Sequence, residues 1–301
     1  MKPKISVVIA TYYRNDLLRD AIDSVLEQQY EPIELVVVDD SGEGHAVPVL
    51  EEYNELKAII REENGGWGKA YTTGIRATTG EYIHLLDDDD YFLPGKLQKT
   101  AAVLEENPAV GAAYSGLECD VRGLQYPDAE VSGDVIERAL RFKMYPCCTI
   151  TLLTERDILM DILPLAEYGD DLDLKIELAK RTTFDYVDEP LVYRRATESR
   201  KWVGLEKYAE MKRIVRNQKE IYDQYPWIRR AVLAERYEKE GQERLEDRIW
   251  SATAILCFLK ATYYANDARA RCFGQIFASL FERPGLNTAR QVRRGGPVSR
   301  R

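Results

Sequence analysis

The sequence predicts an α/β protein with a mainly parallel sheet, helices on both faces of that sheet, and an α-helical C-terminal extension. Short runs of Val, Ile and Leu alternate with helical apolar stripes over the first part of the chain. Strands that alternate with helices in this way are joined by crossover connections, which place the strands parallel to one another. From about residue 200 the pattern changes to long, charged segments of helical periodicity, which predict a separate helical region.

The individual elements follow from these two periodicities. The continuous apolar run at residues 4–10 is typical of a strand buried on both faces, and residues 33–38 are predicted to be a second buried strand. Further strands are predicted at residues 57–61, 81–86 and 110–114. Stripes at helical spacing predict helices at residues 17–26, 47–56, 68–77, 132–142 and 154–162, with another after Pro94 and another beginning at Gly169. Two short strands are predicted near residues 184–187 and 191–193, and long helices at residues 208–222 and 231–250.

The chain is predicted to contain three regions. Its 301 residues, 45% of them hydrophobic, are enough for one large core or two smaller ones. The α/β domain is assigned to residues 1–199, the helical extension to residues 200–282, and a disordered tail to residues 283–301. The tail is predicted because the last 19 residues contain six arginines and no acidic residue.

Charge and cysteine content restrict the class of partner and the compartment. A net charge of -9 argues against a nucleic-acid partner, since such a partner requires a basic surface. The five cysteines show neither metal-ligand spacing nor a disulfide framework, and the first strand begins without a signal-peptide pattern, so we expect a cytoplasmic protein. The apolar stretch at residues 249–265 is too short to span a bilayer and is predicted to be a packed helix, with a helix that lies on a membrane as the alternative.

Four consecutive carboxylates, Asp87 to Asp90, follow directly on the fourth predicted strand. Adjacent negative charges repel one another unless a cation lies among them, and Mg²⁺ typically takes one or two protein carboxylates together with phosphate oxygens and water. The run therefore predicts a site for a divalent cation that carries a phosphate ligand, and a solvated acidic turn is the alternative. Polar residues also follow the first and second strands, and ligands of parallel sheets bind at the carboxyl ends of the strands.

Four segments in chain order resemble the motifs of the family 2 glycosyltransferases, which have the GT-A fold. They are residues 7–14 (VVIATYYR), residues 36–41 (VVVDDS), residues 80–90 (GEYIHLLDDDD) with Pro94, and residues 169–174 (GDDLDL). Each motif is weak alone, whereas four in order at suitable spacing are specific. The resemblance covers residues 1–195 and implies a GT-A (Rossmann-like) domain that binds a nucleotide-sugar donor.

The resemblance implies that the ends of the first two strands bind the nucleotide. Ala10, Thr11, Tyr12 and Arg14 are assigned to this role, because the first three would line the base pocket and an aromatic ring can stack on a base. Asp40 would accept a hydrogen bond from an N–H of the base, which favours uracil or the edge of guanine. For Tyr12 and Asp40, an ordinary loop tyrosine and a turn-forming aspartate are the alternatives.

The resemblance also assigns the metal and the catalytic base to carboxylates. Asp89, with Asp87, would bind Mg²⁺ or Mn²⁺, while Asp87 and Asp88 would contact the ribose or a water of the metal's shell. The cation would offset the charge that builds on the departing diphosphate. Asp170 and Asp171 match an acidic pair near the acceptor, and Asp171 would take the proton of the acceptor hydroxyl, so that its oxygen attacks the anomeric carbon opposite the diphosphate and inverts that centre. A pair of helix-capping acids is the alternative.

Two positions depart from the family pattern. Family members often have Ala-Arg-Asn where residues 70–72 read Ala-Tyr-Thr, and Lys69 is the candidate that replaces the arginine in holding phosphate. Many members have a histidine after Tyr-Arg, and none follows Arg194 here. Arg194 or Arg195 is therefore expected to bind the diphosphate directly, and a solvated strand end is the alternative.

The predicted activity is inverting, metal-dependent transfer of a sugar from a nucleotide-diphosphate donor, with a UDP-sugar preferred, to a hydroxyl of a sugar or a lipid-linked glycan. The helical extension and the arginine-rich tail would suit peripheral association with the cytoplasmic face of a membrane. One alternative is a non-catalytic sugar-nucleotide-binding protein, which has no need of Asp171. The other is a sugar nucleotidyltransferase, which usually has a glycine-rich basic loop after the first strand, unlike residues 11–15.

Overall fold

The computed structural model describes residues 2–166, 170–196, 204–245 and 251–265. The chain divides into two compact units, Met1–Glu198 and Ser199–Arg301, so the division falls next to the predicted end of the α/β domain at residue 199. The predicted disordered tail at residues 283–301 lies outside the described residues.

The described part of the first unit contains nine strands and seven α-helices. The strands are β1 (Ile5–Thr11), β2 (Ile33–Asp39), β3 (Leu56–Ile60), β4 (Tyr82–Asp87), β5 (Asp90–Phe92), β6 (Val110–Cys119), β7 (Gly123–Gln125), β8 (Leu152–Glu155) and β9 (Thr183–Arg194). The helices are α1 (Asn15–Leu26), α2 (Val47–Leu50), α3 (Gly66–Arg76), α4 (Lys96–Glu106), α5 (Ile136–Leu140), α6 (Arg156–Ile162) and α7 (Asp170–Ala179), with a 3₁₀ turn at Thr149–Thr151.

All nine strands belong to one sheet, in the order β3-β2-β1-β4-β8-β6-β9-β5, with β7 paired to β6 beside this path. The neighbouring strands β3, β2, β1 and β4 are parallel, and β6 and β9 are parallel to each other. Because β8 is antiparallel to both β4 and β6, β6 and β9 have the same direction as the first four strands. Six of the nine described strands therefore run one way, which confirms the predicted mainly parallel sheet.

Helices cover both faces of the sheet. Alternate side chains of a strand point to opposite faces, so the apolar strands need helices on both sides to be buried. On one face, Ile5, Val7 and Ile9 of β1 belong to the main hydrophobic core together with residues of α1, α2 and α4. On the other face, α3 lies so close to β1 that a Cβ added to Gly74 would be 2.3 Å from Cγ1 of Val8. A glycine at position 74 therefore allows α3 to approach the sheet.

Several predicted boundaries are wrong, and tertiary pairing explains them. The predicted helix at residues 154–162 begins instead as strand β8, which gains hydrogen bonds from β4 and β6 on its two sides. The predicted helix at residues 47–56 ends at Leu50. The two short strands predicted after residue 183 are one strand, β9, whose register against β6 shifts near Pro190, a residue without an N–H for the ladder.

Lys96, at the start of α4, is completely buried in the core of the first unit. Its ammonium group donates hydrogen bonds to the backbone oxygen of Thr151 at 2.6 Å and to Oγ of Ser115 at 3.1 Å. Burial lowers the pKa of Lys96 to about 7. His84, predicted to be a core or sheet-face residue, is also buried, and burial lowers its pKa well below the ordinary value.

Lys96→Met is expected to change how stability depends on pH. Between pH 7 and pH 9.5 the unfolded chain holds the Lys96 proton and the native chain largely does not, so raising the pH stabilises the native wild type relative to the unfolded state. The variant lacks this group. The free energy of unfolding of the wild type minus that of the variant should therefore increase by about 3 kcal/mol between pH 7 and pH 9.5. Urea denaturation at several pH values, in which the unfolding of the first unit is followed, measures this difference.

The matched control for Lys96→Met is Lys99→Met, in the next turn of α4, where the lysine is exposed and paired with Glu189. Its difference from the wild type should be independent of pH over the same interval. Parallel stability curves for Lys96→Met and the wild type would show that Lys96 is charged in the native state, contrary to the expectation.

The described part of the second unit is entirely helical. Its helices are α8 (Glu206–Asn217), α9 (Lys219–Gln224), α10 (Pro226–Glu243) and α11 (Ala252–Tyr264). Helix α11 buries Ala254, Cys257, Phe258 and Ala261 on one side, and its Phe258 ring lies close to Gly241 of α10. The apolar stretch at residues 249–265 thus contains a packed helix, as predicted. Among the described helices, none has the length and apolar character that crossing a membrane requires.

Candidate active site

The carboxyl ends of β1, β2 and β4 lie side by side because these strands are parallel neighbours. Ala10 pairs with Val38 on one side and with Asp87 on the other, and Thr11 pairs with Asp39. The polar residues that follow the three strands therefore open on one edge of the sheet, as predicted.

Three carboxylates, those of Asp87, Asp89 and Asp90, form a cluster at the end of β4. Each offers one oxygen atom, and these atoms lie within 4.8 Å of one another. Burial first, and then repulsion from neighbouring carboxylates, raise the pKa of Asp87 to about 7 and that of Asp90 to about 8. Negative charge is thus costly here, and three oxygen ligands fit a hard divalent cation.

Asp90 was not among the predicted metal-site residues. It is buried, and it belongs to β5, where it pairs with Arg194 of β9. The backbone N–H of Arg195 donates a 2.9 Å hydrogen bond to its carboxylate. The run of four acids was the one signal in the sequence for Asp90, since its position in the cluster depends on the distant strand β9.

Asp88 faces the end of β1 and lies outside this cluster. Its carboxylate accepts hydrogen bonds from the backbone N–H of Tyr12 at 3.3 Å and from the guanidinium of Arg14 at 2.8 Å. The same nitrogen of Arg14 is 3.0 Å from Asp89. Arg14 and Asp88 therefore join the predicted nucleotide segment to the acidic run.

Tyr71 occupies the position of the missing family arginine, and sequence reasoning gave it no role. Its side chain is fully buried, and its hydroxyl oxygen lies 2.7 Å from the backbone oxygen of Leu86 and 2.9 Å from Oδ1 of Asp87. The ring of Trp67 packs edge-on against it at 5.1 Å between centroids. By contrast, the predicted substitute Lys69 is exposed on α3. The buried hydroxyl of Tyr71 therefore helps to fix the orientation of the Asp87 carboxylate.

Tyr71→Phe is expected to weaken manganese binding by about tenfold, because groups that orient metal ligands contribute 10–100-fold to affinity. It should also lower the free energy of unfolding by about 1–3 kcal/mol, because the backbone oxygen of Leu86 loses a buried partner. Calorimetric titration with Mn²⁺ and urea denaturation measure the two effects. Tyr126→Phe, at a tyrosine that is 54% exposed, is the control and should change neither. Unaltered manganese affinity in Tyr71→Phe would contradict the supporting role.

Asp40 is buried at the end of β2, and its carboxylate is surrounded by donors from the loop before α3. The backbone N–H groups of Gly65 and Gly66 donate to it at 3.1 Å and 2.7 Å, and the guanidinium of Arg61 pairs with it. The side-chain amide of Asn64 donates at 3.2 Å. Asp40 thus holds the start of α3 against β2, and Arg61 is a partner that sequence reasoning missed.

Tyr12 and its neighbour Tyr13 form the exposed surface at the end of β1. Tyr12 is 52% exposed, and its ring meets that of Tyr13 edge-on at 4.7 Å. The hydroxyl of Tyr13 donates to Glu43 at 2.8 Å, and its φ of 57° is in the left-handed region. Thr11, in contrast, is buried. An aromatic surface therefore stands beside the acidic cluster.

Asp171, in the first turn of α7, is paired with Lys175 one turn later. The ammonium of Lys175 is 2.8 Å from Oδ2 of Asp171 and donates to the backbone oxygen of Cys147 at 3.1 Å. Burial alone would lower the pKa of Lys175, but Asp171 and its neighbours hold that pKa above the ordinary value. Lys175 is therefore a buried cation that fixes the orientation of Asp171. Asp170 is the first residue of α7.

Arg194 connects the acidic cluster with Asp171. Burial alone would lower the pKa of its guanidinium, but Cys148, Asp90, Asp87 and Asp171 hold that pKa above the ordinary value. One cation thus interacts with two cluster carboxylates and with the predicted base.

The side chain of Arg195 points elsewhere, so the predicted alternatives Arg194 and Arg195 are not equivalent. Its guanidinium donates to Asp20 of α1 and lies over the ring of Tyr91 at 4.9 Å. The backbone N–H of Arg195 contacts the cluster through Asp90.

A cavity of about 180 Å³ lies beside Trp67, between Pro164, Leu174 and Glu177. None of the clustered carboxylates lines it, and neither does Asp171. The candidate site is therefore at the strand ends and not in this cavity.

Known proteins that are similar to this chain are glycosyltransferases. The uncharacterized glycosyltransferase YwdF of Bacillus subtilis is 41% identical over 104 residues, which are 34% of this chain and 38% of YwdF, so the chain spans little more than a third of that relative. An uncharacterized glycosyltransferase of Haemophilus influenzae is 26% identical over 202 residues, 63% of this chain and 67% of the relative.

Solved structures of glycosyltransferases show a similar fold. S. aureus TarS 1-349 in complex with UDP-GlcNAc superposes with a TM-score of 0.71 at 18% identity and covers 98% of this chain and 93% of that one. The mannosyltransferase PcManGT of Pyrobaculum calidifontis, in complex with GDP-Man and Mn²⁺, has a TM-score of 0.59 at 18% identity. The match covers 95% of this chain and 83% of PcManGT. The fold is that of the GT-A glycosyltransferases.

Fold and relatives together define the class of protein as a glycosyltransferase of the GT-A type. The family model "Glycosyl transferase family 2" matches residues 6–163, more than half of the 301 residues. The chain therefore belongs to glycosyltransferase family 2.

Proposed function

We propose that this chain transfers a sugar from a UDP-sugar to a hydroxyl acceptor, with a divalent cation and with inversion at the anomeric carbon. The observation that carries the proposal is the cluster of Asp87, Asp89 and Asp90, beside which Arg194 pairs with Asp90 across β5 and β9, while Asp171 favours the charge of the same arginine. A diphosphate, a cation and an acceptor hydroxyl need these three kinds of group close together.

The cluster has the donor set that Mg²⁺ or Mn²⁺ requires, because all of its ligand atoms are carboxylate oxygens. Asp89 and Asp87 are the proposed ligands, and Asp90 adds a third oxygen from β5. When bound, the cation supplies Lewis-acid stabilisation of charge on the diphosphate.

Asp171 is the proposed general base, and Asp170 is the proposed partner acid of the same motif. A carboxylate at Asp171 takes the proton of the acceptor hydroxyl as its oxygen bonds to the anomeric carbon, and the bond from that carbon to the diphosphate on the opposite face breaks and releases UDP. Lys175 keeps that carboxylate in one orientation, and its pairing distance of 2.8 Å supports this role. Arg194 pairs with Asp90 of the cluster across β5 and β9 and would bind the diphosphate oxygens.

Tyr12 is proposed to bind the base, with Ala10, Thr11 and Arg14 completing that pocket and Lys69 at its phosphate end. Asp40, whose carboxylate accepts from the loop before α3, is proposed to border the same pocket. The exposed ring of Tyr12 supports stacking. UDP is the proposed nucleotide, and the structure of the neighbour TarS 1-349 in complex with UDP-GlcNAc supports this choice. The acceptor class that we propose is a lipid-linked glycan at the cytoplasmic face of a membrane.

A thermal-shift screen of nucleotide sugars with and without Mn²⁺ tests the proposal. A ligand at 100 times its dissociation constant stabilises the native state by about 2.7 kcal/mol, which is readily seen as a higher melting temperature. We expect UDP-sugars to stabilise with Mn²⁺ and much less with EDTA. No response to any nucleotide sugar would overturn the function, and a response to GDP-sugars alone would overturn the choice of base.

A further inference from the structure

Helix α11 has a second apolar face, opposite the one that packs on α10. Leu256, Leu259 and Tyr263 are 50%, 49% and 71% exposed. At 3.6 residues per turn their side chains lie within an arc of roughly 60°. Together with Trp227 of α10, which is 51% exposed, they are all of the large exposed hydrophobic residues in the described part of the second unit. We call Leu256, Leu259 and Tyr263 the α11 face.

The surroundings of the α11 face are cationic. Helix α11 contains no acidic residue, and its one charged residue is Lys260, which lies on the exposed side between Leu256 and Tyr263. Arg230 of α10 donates to the backbone oxygen of Tyr263 at 3.2 Å, so a guanidinium adjoins the tyrosine end of the face. Residues 266–301, which follow α11 in the chain, contain eight arginines, no lysine and two acidic residues.

This composition is that of a surface which lies on a lipid bilayer. Interfacial helices combine large apolar residues such as leucine on one face with lysine and arginine at its border, and tyrosine prefers the headgroup level. Basic residues next to such a face are attracted to anionic lipids. The whole chain has a net charge of -9, so an anionic membrane repels most of its surface and favours contact through this basic region.

We propose that the α11 face binds peripherally to a membrane that contains anionic lipids, with Leu256, Leu259 and Tyr263 inserted among the headgroups and Lys260 at their border. This inference names the surface of the proposed membrane association and does not depend on the sugar-transfer reaction. A helix of 13 residues that exposes one of its apolar faces lies in the interface and does not cross it.

Flotation of the full-length protein with phosphatidylcholine vesicles, with and without 30 mol% of phosphatidylglycerol, tests the proposal at low and high salt. We expect binding to the anionic vesicles that falls with salt, since screening weakens the electrostatic part. The triple variant Leu256→Ser, Leu259→Ser, Tyr263→Ser should bind at least about tenfold more weakly. Lys260→Glu should lower binding to anionic vesicles by about tenfold without affecting the neutral ones.

The matched control is an equally exposed apolar trio in the first unit, at the β6–β7 hairpin. Val121, Leu124 and Tyr126 are 71%, 53% and 54% exposed, and the triple change to Ser alters neither charge nor the α11 face. It should bind vesicles like the wild type. The melting temperature and the UDP affinity of every variant establish that it is folded, so a failure of the sugar-transfer proposal is seen separately.

Three results would overturn the inference. The first is no flotation of the wild type with anionic vesicles at low salt. The second is loss of binding in the hairpin control with retention in the α11 triple variant. The third is a dimer of the wild type that the α11 variant dissociates, in the absence of vesicle binding, because a second copy of the chain then covers this face.

Discussion

Asp171→Asn is expected to lower the rate of sugar transfer by about 10²–10⁴-fold, the usual contribution of a general base. An asparagine has nearly the shape of the aspartate, and its carbonyl oxygen can still accept from Lys175, so the local packing of α7 should persist. What it cannot do is take a proton from the acceptor hydroxyl. The affinity for UDP-sugar with Mn²⁺ should therefore stay within about twofold of the wild type, because binding of the donor does not use this proton transfer.

Single-turnover transfer assays and calorimetric titration with the donor separate the two effects. Asp157→Asn on α6 is the control, since that side chain is 99% exposed and should leave both unchanged. Equal transfer rates for Asp171→Asn and the wild type would remove Asp171 as the base. A variant that neither transfers nor binds would instead assign Asp171 to donor binding. A wild type that binds without transferring would favour the non-catalytic alternative.

Asp89→Ala is expected to weaken UDP binding by at least about tenfold when Mn²⁺ is present, because one of the three clustered oxygen ligands is lost. In EDTA the same variant should bind UDP at least as well as the wild type, because one fewer negative charge faces the diphosphate. Arg14 keeps its 2.8 Å contact with Asp88, so the end of β1 should remain in place.

Calorimetric titration with UDP, in Mn²⁺ and in EDTA, measures the two changes in affinity. Asp157→Ala is the control for the loss of an exposed carboxylate. If Asp89→Ala and the wild type have the same affinity for UDP both with Mn²⁺ and with EDTA, the metal role of Asp89 is wrong. An equal loss in both conditions would show that Asp89 contacts the nucleotide directly.

Local sequence patterns were sufficient for the sheet and for the general place of the site. The buried strands β1, β2 and β4 are largely apolar runs, and the acids that follow β2 and β4 lie at one edge because the strands are parallel. The short strands β5, β7 and β8 escaped prediction, since three or four residues carry too little periodicity and depend on partners elsewhere in the chain.

The sequence by itself determined the fold class, the acidic run and the motif that contains Asp171, because these reside in neighbouring residues. Only the tertiary structure decided that Asp90 joins Asp87 and Asp89, and that Arg194 rather than Arg195 turns toward them. The reason is distance along the chain: the hydrogen bond that holds Asp90 joins it to a residue 105 positions away. Such a contact leaves no periodic trace in the sequence and exists only once β5 and β9 have paired.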